Sequence, residues 1–111
     1  MLCGSLEIEI LNSFWKLSEN NGDKDLTIQD IVDDMHANGI ERAYTTIKTV
    51  MDRLTVKSVL VRYKSGKKFF YKAAMTKNEM AQDAIKTISD YYFNGNYVDM
   101  IRFIEKNTQL V

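Results

Sequence analysis

The sequence predicts a mostly α-helical chain that carries one small β-hairpin. Three observations lead there. Apolar residues recur at helical spacing in successive stretches. Two β-rich runs flank a glycine-containing turn in the middle of the chain. Proline is absent from all 111 residues, so no ring interrupts a helix.

The first helix is expected over residues 5–18, where Leu6, Ile10, Leu11, Phe14, Trp15 and Leu17 fall at helical spacing. Residues 19–25 are polar with a central Gly22 and read as a loop. Thr27 followed three residues later by Asp30 resembles a capping box, with Asp where Glu or Gln is usual. Ile28, Ile31, Val32 and Met35 mark one face of the second helix, and Asn38-Gly39 stops it. The third helix is expected from Arg42 or Ala43 to about Lys57. Its apolar positions Ile47, Val50, Met51 and Leu54 share one sector, while Thr45, Thr49 and Asp52 lie opposite, flanked by Thr46, Lys48 and Arg53. Residues 59–64 and 67–72 then read as two strands joined by Ser65-Gly66. Thr76 and Glu79 form a second capping-box pattern, opening a helix to about Phe93 with a stripe of Met80, Ala84, Ile85, Ile88, Tyr91 and Tyr92. Asn94-Gly95-Asn96 breaks it. Tyr97, Met100, Ile101, Phe103 and Ile104 make a last short helix before a polar tail. Three short helices followed by a hairpin with a basic tip is the order of a winged helix-turn-helix. The expected organisation is a winged-helix domain over residues 1–74 and a helical dimerisation region over residues 75–111, because a core of this size gains from burial against a second copy.

The formal net charge of zero conceals a strong segregation. Residues 1–40 hold two bases against eight acids, net −6; residues 41–72 hold nine bases against two acids, net +7; the remainder holds four against five, net −1. The middle third is basic in the manner of a polyanion-binding surface. Cys3 is the sole cysteine, which excludes an internal disulfide and a multi-cysteine metal site and favours a reducing compartment. No signal peptide or membrane-length apolar run is visible, so a cytoplasmic protein with no membrane partner is expected.

The third helix is the sharpest functional feature. A helix that reads DNA buries one face on its own domain and shows short polar side chains to base edges and longer basic ones to phosphates. Thr45, Thr46 and Thr49 suit the first role, with Tyr44 at the helix front beside them; Lys48 and Arg53 suit the second. Asp52 is repulsive to DNA unless a base such as Lys48 pairs with it. The competing reading is an ordinary solvated amphipathic helix. The hairpin tip gathers Lys64, Lys67 and Lys68, either to follow a phosphate backbone or to suppress aggregation at a sheet edge. Acid depletion throughout residues 41–72 favours the former.

Residues 43–54, the wing over residues 60–71 and the first helix from Glu7 to Trp15 resemble the penicillinase and methicillin-resistance repressors (the BlaI/MecI group), and residues 94–106 are similar to the C-terminal region of that family. The resemblance implies a homodimer on a palindromic double-stranded DNA operator, with no cofactor. It implies that Thr45, Thr46, Lys48 and Thr49 enter the major groove while Arg53, Lys67 and Lys68 bind backbone. It further implies interlocked C-terminal helices. Two departures stand out. Drug-resistance members carry an Asn-Phe bond that is cut after antibiotic sensing, and the matching pair here is Arg102-Phe103. The chain ends at Val111 without the family's last helix, so a smaller or differently built dimer interface is expected. The cysteine cluster of copper-sensing relatives is missing as well, which argues against copper control.

Ile88, Tyr91, Tyr92, Phe93, Tyr97, Ile101, Phe103 and Ile104 are the candidates for the dimer core; a ligand pocket lined by the same aromatic rings is the other reading. His36 reads as a helix-end surface residue, Cys3 as an incidental thiol and Trp15 as packing. One His, one Cys and no Gly-rich phosphate loop leave no catalytic constellation, so no enzyme is expected. A winged helix that binds an acidic protein instead of DNA remains the alternative, disfavoured by the threonines, since an acidic partner calls for charge rather than short hydroxyls. The operator, the regulated genes, the inducing signal and any sensor or protease partner are not readable from the residues.

Overall fold

The computed structural model describes residues 2–20, 22 and 25–108. Its elements run α1 (Ser5–Asn20), α2 (Ile28–Ala37), α3 (Tyr44–Val56), β1 (Leu60–Ser65), β2 (Lys68–Ala73), α4 (Lys77–Tyr92) and α5 (Tyr97–Thr108). Part of the polar loop expected over residues 19–25, and the end of the tail at 109–111, lie outside the described residues. The chain forms two compact units, Cys3–Thr76 and a second that contains α4 and α5.

The N-terminal unit has the winged helix-turn-helix order. The first helix runs two residues further than expected, to Asn20. Its front is bound by Glu7, whose carboxylate accepts the Gly4 N–H at 3.0 Å. The α2 start is a complete capping box: Thr27 Oγ1 accepts the Asp30 N–H at 3.2 Å, and Asp30 Oδ2 accepts the Thr27 N–H at 2.8 Å. Asp thus serves in the place of the longer Glu. The α2 end closes on Gly39 at φ 80°, with the Ile40 N–H on the Met35 carbonyl at 2.8 Å and the Gly39 N–H on that of His36 at 3.0 Å. The same Schellman closure ends α3, where the Val59 N–H bonds the Leu54 carbonyl at 3.0 Å, but here the left-handed position (φ 64°) is filled by Ser58.

The core forms where α1, α2, α3 and the hairpin meet. Ile10, Leu11, Phe14, Ile31, Met35, Ile47, Met51, Leu54, Val59 and Leu60 are all at most 1% exposed. Each fully buried aliphatic or aromatic side chain contributes about 1.5–3 kcal/mol. The four apolar positions read from the α3 periodicity are the four buried ones: Ile47, Val50, Met51 and Leu54. Trp15, expected as packing, is only half-buried and makes a specific bond besides, donating its indole N–H to the Met75 carbonyl at 3.1 Å.

The hairpin corrects the sequence reading. Ser65 pairs with Lys68, so the corner is Gly66-Lys67 rather than Ser65-Gly66. Gly66 takes φ 63° at the first corner position, the place where a type II′ turn requires a positive φ and where glycine adopts it without strain. Arg62 consequently lies opposite Tyr71, and Lys64 opposite Phe69. Leu26 extends the ladder by one bridge to Tyr71, with N–H to carbonyl distances of 2.9 and 2.7 Å.

In the C-terminal unit, Asn94 (φ 51°) and Gly95 (φ 77°) turn the chain after α4, and the Ser89 carbonyl accepts both the Phe93 and the Gly95 N–H. Asn96 is more than a helix breaker: its Oδ1 accepts the Asp99 N–H at 3.1 Å and so caps α5. Phe93 meets Phe103 edge to face at 5.4 Å. No residue of α5 is buried.

Candidate nucleic-acid interface

Burial of the Ile47, Val50, Met51 and Leu54 face turns the opposite side of α3 to solvent. Tyr44, Thr45, Thr46, Lys48, Thr49 and Arg53 are all exposed. Ala43 precedes the helix and offers no side-chain acceptor to its first N–H groups, in contrast to the Thr27 cap of α2. The Thr49 hydroxyl donates to the Thr45 carbonyl at 2.9 Å. Its proton is thereby committed, and its oxygen is left as an outward acceptor.

The wing lies beside this helix. Tyr44 and Lys48 of α3, Arg62 and Phe69 of the strands, Lys67 and Lys68 at the tip, and Thr27–Gln29 at the start of α2 line one groove of about 300 Å³. Of the residues singled out from sequence, the groove thus brings together Tyr44, Lys48, Lys67 and Lys68. Thr45, Thr46, Thr49 and Arg53 share the exposed side of α3 without lining it. Arg53, Lys67 and Lys68 enter no ion pair among the described residues.

Asp52 sits between helix and wing. Lys48 Nζ donates to its Oδ2 at 2.8 Å, Arg62 Nη1 to its Oδ1 at 3.2 Å and the Tyr71 hydroxyl to its Oδ1 at 3.3 Å. Burial pushes the Asp52 carboxyl up, but Lys48, Tyr71 and Arg62 together outweigh it and hold the group below its ordinary value. Lys48 is raised in turn by its bond to Asp52. Arg62 is further placed by the Phe69 ring, 4.6 Å below its guanidinium carbon. Arg62, Phe69 and Gln29 were not singled out from sequence. The signal was present for Arg62, which alternates in β1 with the outward Val61 and Tyr63, but its pairing depends on the hairpin register.

A second ion pair fixes α3 from behind. Glu7 is 5% exposed, and Lys57 at the C-terminal end of α3 donates to its two carboxylate oxygens at 2.9 and 3.2 Å. Burial raises the Glu7 carboxyl; the Gly4 N–H bond, the Lys57 bond and charge and the nearby Arg53 charge overcome that, leaving it below its ordinary value. His36 is on the surface, 3.1 Å from the Glu41 carboxylate. Among the described residues no three His, Cys, Asp or Glu side chains converge on a metal-sized site, and no helix is long and apolar enough to cross a membrane.

The side chains proposed from sequence for dimerisation lie in the C-terminal unit. Tyr91 and Tyr92 are 74% and 75% exposed, Tyr97, Ile101, Phe103 and Ile104 are exposed too, and Ile88 and Phe93 are half-buried.

Comparison with known proteins agrees with this architecture. The chain is 25% identical over 104 residues to a penicillinase repressor of Staphylococcus aureus, an alignment that spans 94% of this chain and 77% of that protein. A solved prokaryotic transcription factor superposes with a TM-score of 0.54 at 24% identity, over 68% of this chain. The match takes in 58% of that factor's own length, less than two thirds. The ferric uptake regulator of Francisella tularensis, solved with iron, superposes with a TM-score of 0.53 at 16% identity over 82% of this chain and 80% of its own. Both superpositions reflect a shared fold. A model of the penicillinase repressor family matches residues 3–111, and with that match running through helix, wing and C-terminal helices alike, the chain belongs to that family, one of transcriptional repressors and not of enzymes.

Proposed function

We propose that the protein is a sequence-specific DNA-binding repressor that acts as a homodimer on a palindromic operator. The observation that carries the reading is the surface formed by α3 and the wing: three exposed threonines share the outer side of α3 with Arg53, and Tyr44 and Lys48 of the same helix share a groove with Lys67 and Lys68 of the wing. Tyr44, Thr45, Thr46, Lys48 and Thr49 address the major groove, and Arg53, Lys67 and Lys68 address phosphates. The named repressor from Staphylococcus aureus supports the regulatory role. The exposed rings of α4 and α5 support the homodimer: an apolar array that a single chain leaves in water gains burial against a second copy.

Selection of bound fragments from random duplexes, with half-site symmetry as the readout, tests the reading directly. The Lys67→Ala/Lys68→Ala variant should keep its fold and lose part of its salt sensitivity, its slope of log affinity against log salt shrinking by about 1.8, at about 0.9 per phosphate contact. Binding of the native protein that is indifferent to ionic strength would remove the proposal. Tyr92→Asp, at a position whose ring is 75% exposed in the single chain, should leave the helices intact and shift sedimentation from dimer to monomer. A native protein that sediments as a monomer removes the homodimer from the proposal, and a variant that stays a dimer removes Tyr92 from its interface.

A further inference from the structure

Asp52 is an acid at the centre of a surface read above as polyanion-binding, and that placement needs a reason. Electrostatics alone would remove it, since a carboxylate near phosphates opposes binding. Its partners supply the reason. Lys48 lies one turn before it on α3, Arg62 comes from β1 and Tyr71 from β2, and all three donate to the one carboxylate, at 2.8, 3.2 and 3.3 Å. The Tyr71 ring is 1% exposed, so one anchor of this cluster belongs to the core. Phe69 supports the outer side of Arg62. A helix and both strands of the wing are joined at a single group.

We infer that Asp52 is a positioning residue that sets DNA discrimination by locking Arg62 of the wing to Lys48 of α3, with Arg62 as a further phosphate-contacting side chain. This rests on the DNA-binding reading above. The trio Lys48, Asp52 and Arg62 carries one net positive charge in place of two. Duplexes of any sequence are therefore held less tightly, while the spacing between helix and wing is fixed in advance for a matching site. Free energy for ordering that spacing is then not drawn from the complex.

The test uses the full chain, with a random-sequence duplex and the site recovered by selection as the two probes. Asp52→Asn frees a second positive charge. The salt slope on the random duplex should steepen by about 0.9, which over an about fourfold rise in salt is a further factor of about 3.5 in lost affinity. Affinity for the random duplex at low salt should rise, and the ratio of selected to random affinity should fall. Arg62→Gln, on an exposed strand, secures the test against misfolding of the first variant. Its slope should become shallower by about 0.9, yet its ratio should fall in the same direction. Opposite slope changes with a common loss of discrimination are the signature of the lock. An unchanged ratio in either variant, or equal weakening on both duplexes with the slope unmoved, overturns the inference. Failure of the native protein to bind duplexes in a salt-dependent way overturns the DNA-binding reading itself, and so is told apart.

Discussion

Glu7 and Lys57 make an asymmetric pair, and the asymmetry is measurable. The Glu7 side chain is 7% exposed and that of Lys57 is 32% exposed. Lys57→Ala leaves a buried carboxylate with the Gly4 N–H and the nearby Arg53 charge, and because Lys57 is itself part-exposed the cost should be about 3 kcal/mol, the low end for breaking a buried pair. Glu7→Gln leaves instead an ammonium that swings into water, and the amide oxygen of Gln keeps the Gly4 bond. Its cost should be about 1.5 kcal/mol, the low end for a lost hydrogen bond to a charged group. Urea unfolding at neutral pH measures both. The pH dependence supplies an independent check. Because the folded Glu7 carboxyl lies below its ordinary value of 4.5, the unfolded chain takes up the proton first. Its stabilisation is complete above pH 4.5 and is lost as the pH falls through the lower folded value. The gap between native protein and Lys57→Ala should close over that same acid range, since a protonated Glu7 no longer needs the cation. Equal costs for the two substitutions, or a gap that persists in acid, would refute the account of the pair.

Two other substitutions carry clear expectations. Ser58 holds a left-handed conformation at the end of α3, so Ser58→Gly should raise stability by about 0.5–1 kcal/mol, visible as a higher Tm; a lower Tm would mean that its side chain matters more than the strain. Thr49→Val removes the outward hydroxyl and preserves shape. It should cost about 0.5–1.5 kcal/mol of discrimination at one base pair, the worth of a single hydrogen bond, with the salt slope unchanged, as read by competition between duplexes that differ at single positions.

Much of the architecture was legible because it follows from local chemistry. The spacing of Ile47, Val50, Met51 and Leu54 marked the buried face of α3, and so by subtraction the outward threonines. Thr27, Asp30 and Gly39 announced the ends of α2. What local chemistry left open was register. Placing the corner at Ser65-Gly66 sets Arg62 opposite Phe69; the observed corner moves the pairing by two residues and sets it opposite Tyr71. A shift of two preserves which residues share a face but changes which of them meet. The contacts of Asp52 with Arg62 and Tyr71 follow from that register and were invisible for that reason. Glu7 and Lys57 are 50 residues apart, and nothing in the periodicity of either helix links them. The capping role of Asn96 was hidden differently: an Asn-Gly-Asn run signals a break equally well whether or not the last Asn begins the next helix.

The tryptophan count is one, and its indole N–H is tied to a backbone carbonyl at residue 75, two positions before α4 begins. Light emitted by this ring therefore reports on a single, known place: the strand-to-helix passage where the winged unit ends. Any event that loosens residues 74–76, whether heat, proteolysis or a regulatory partner, should alter the colour of that emission before the helices melt, so the protein carries its own optical gauge at that joint.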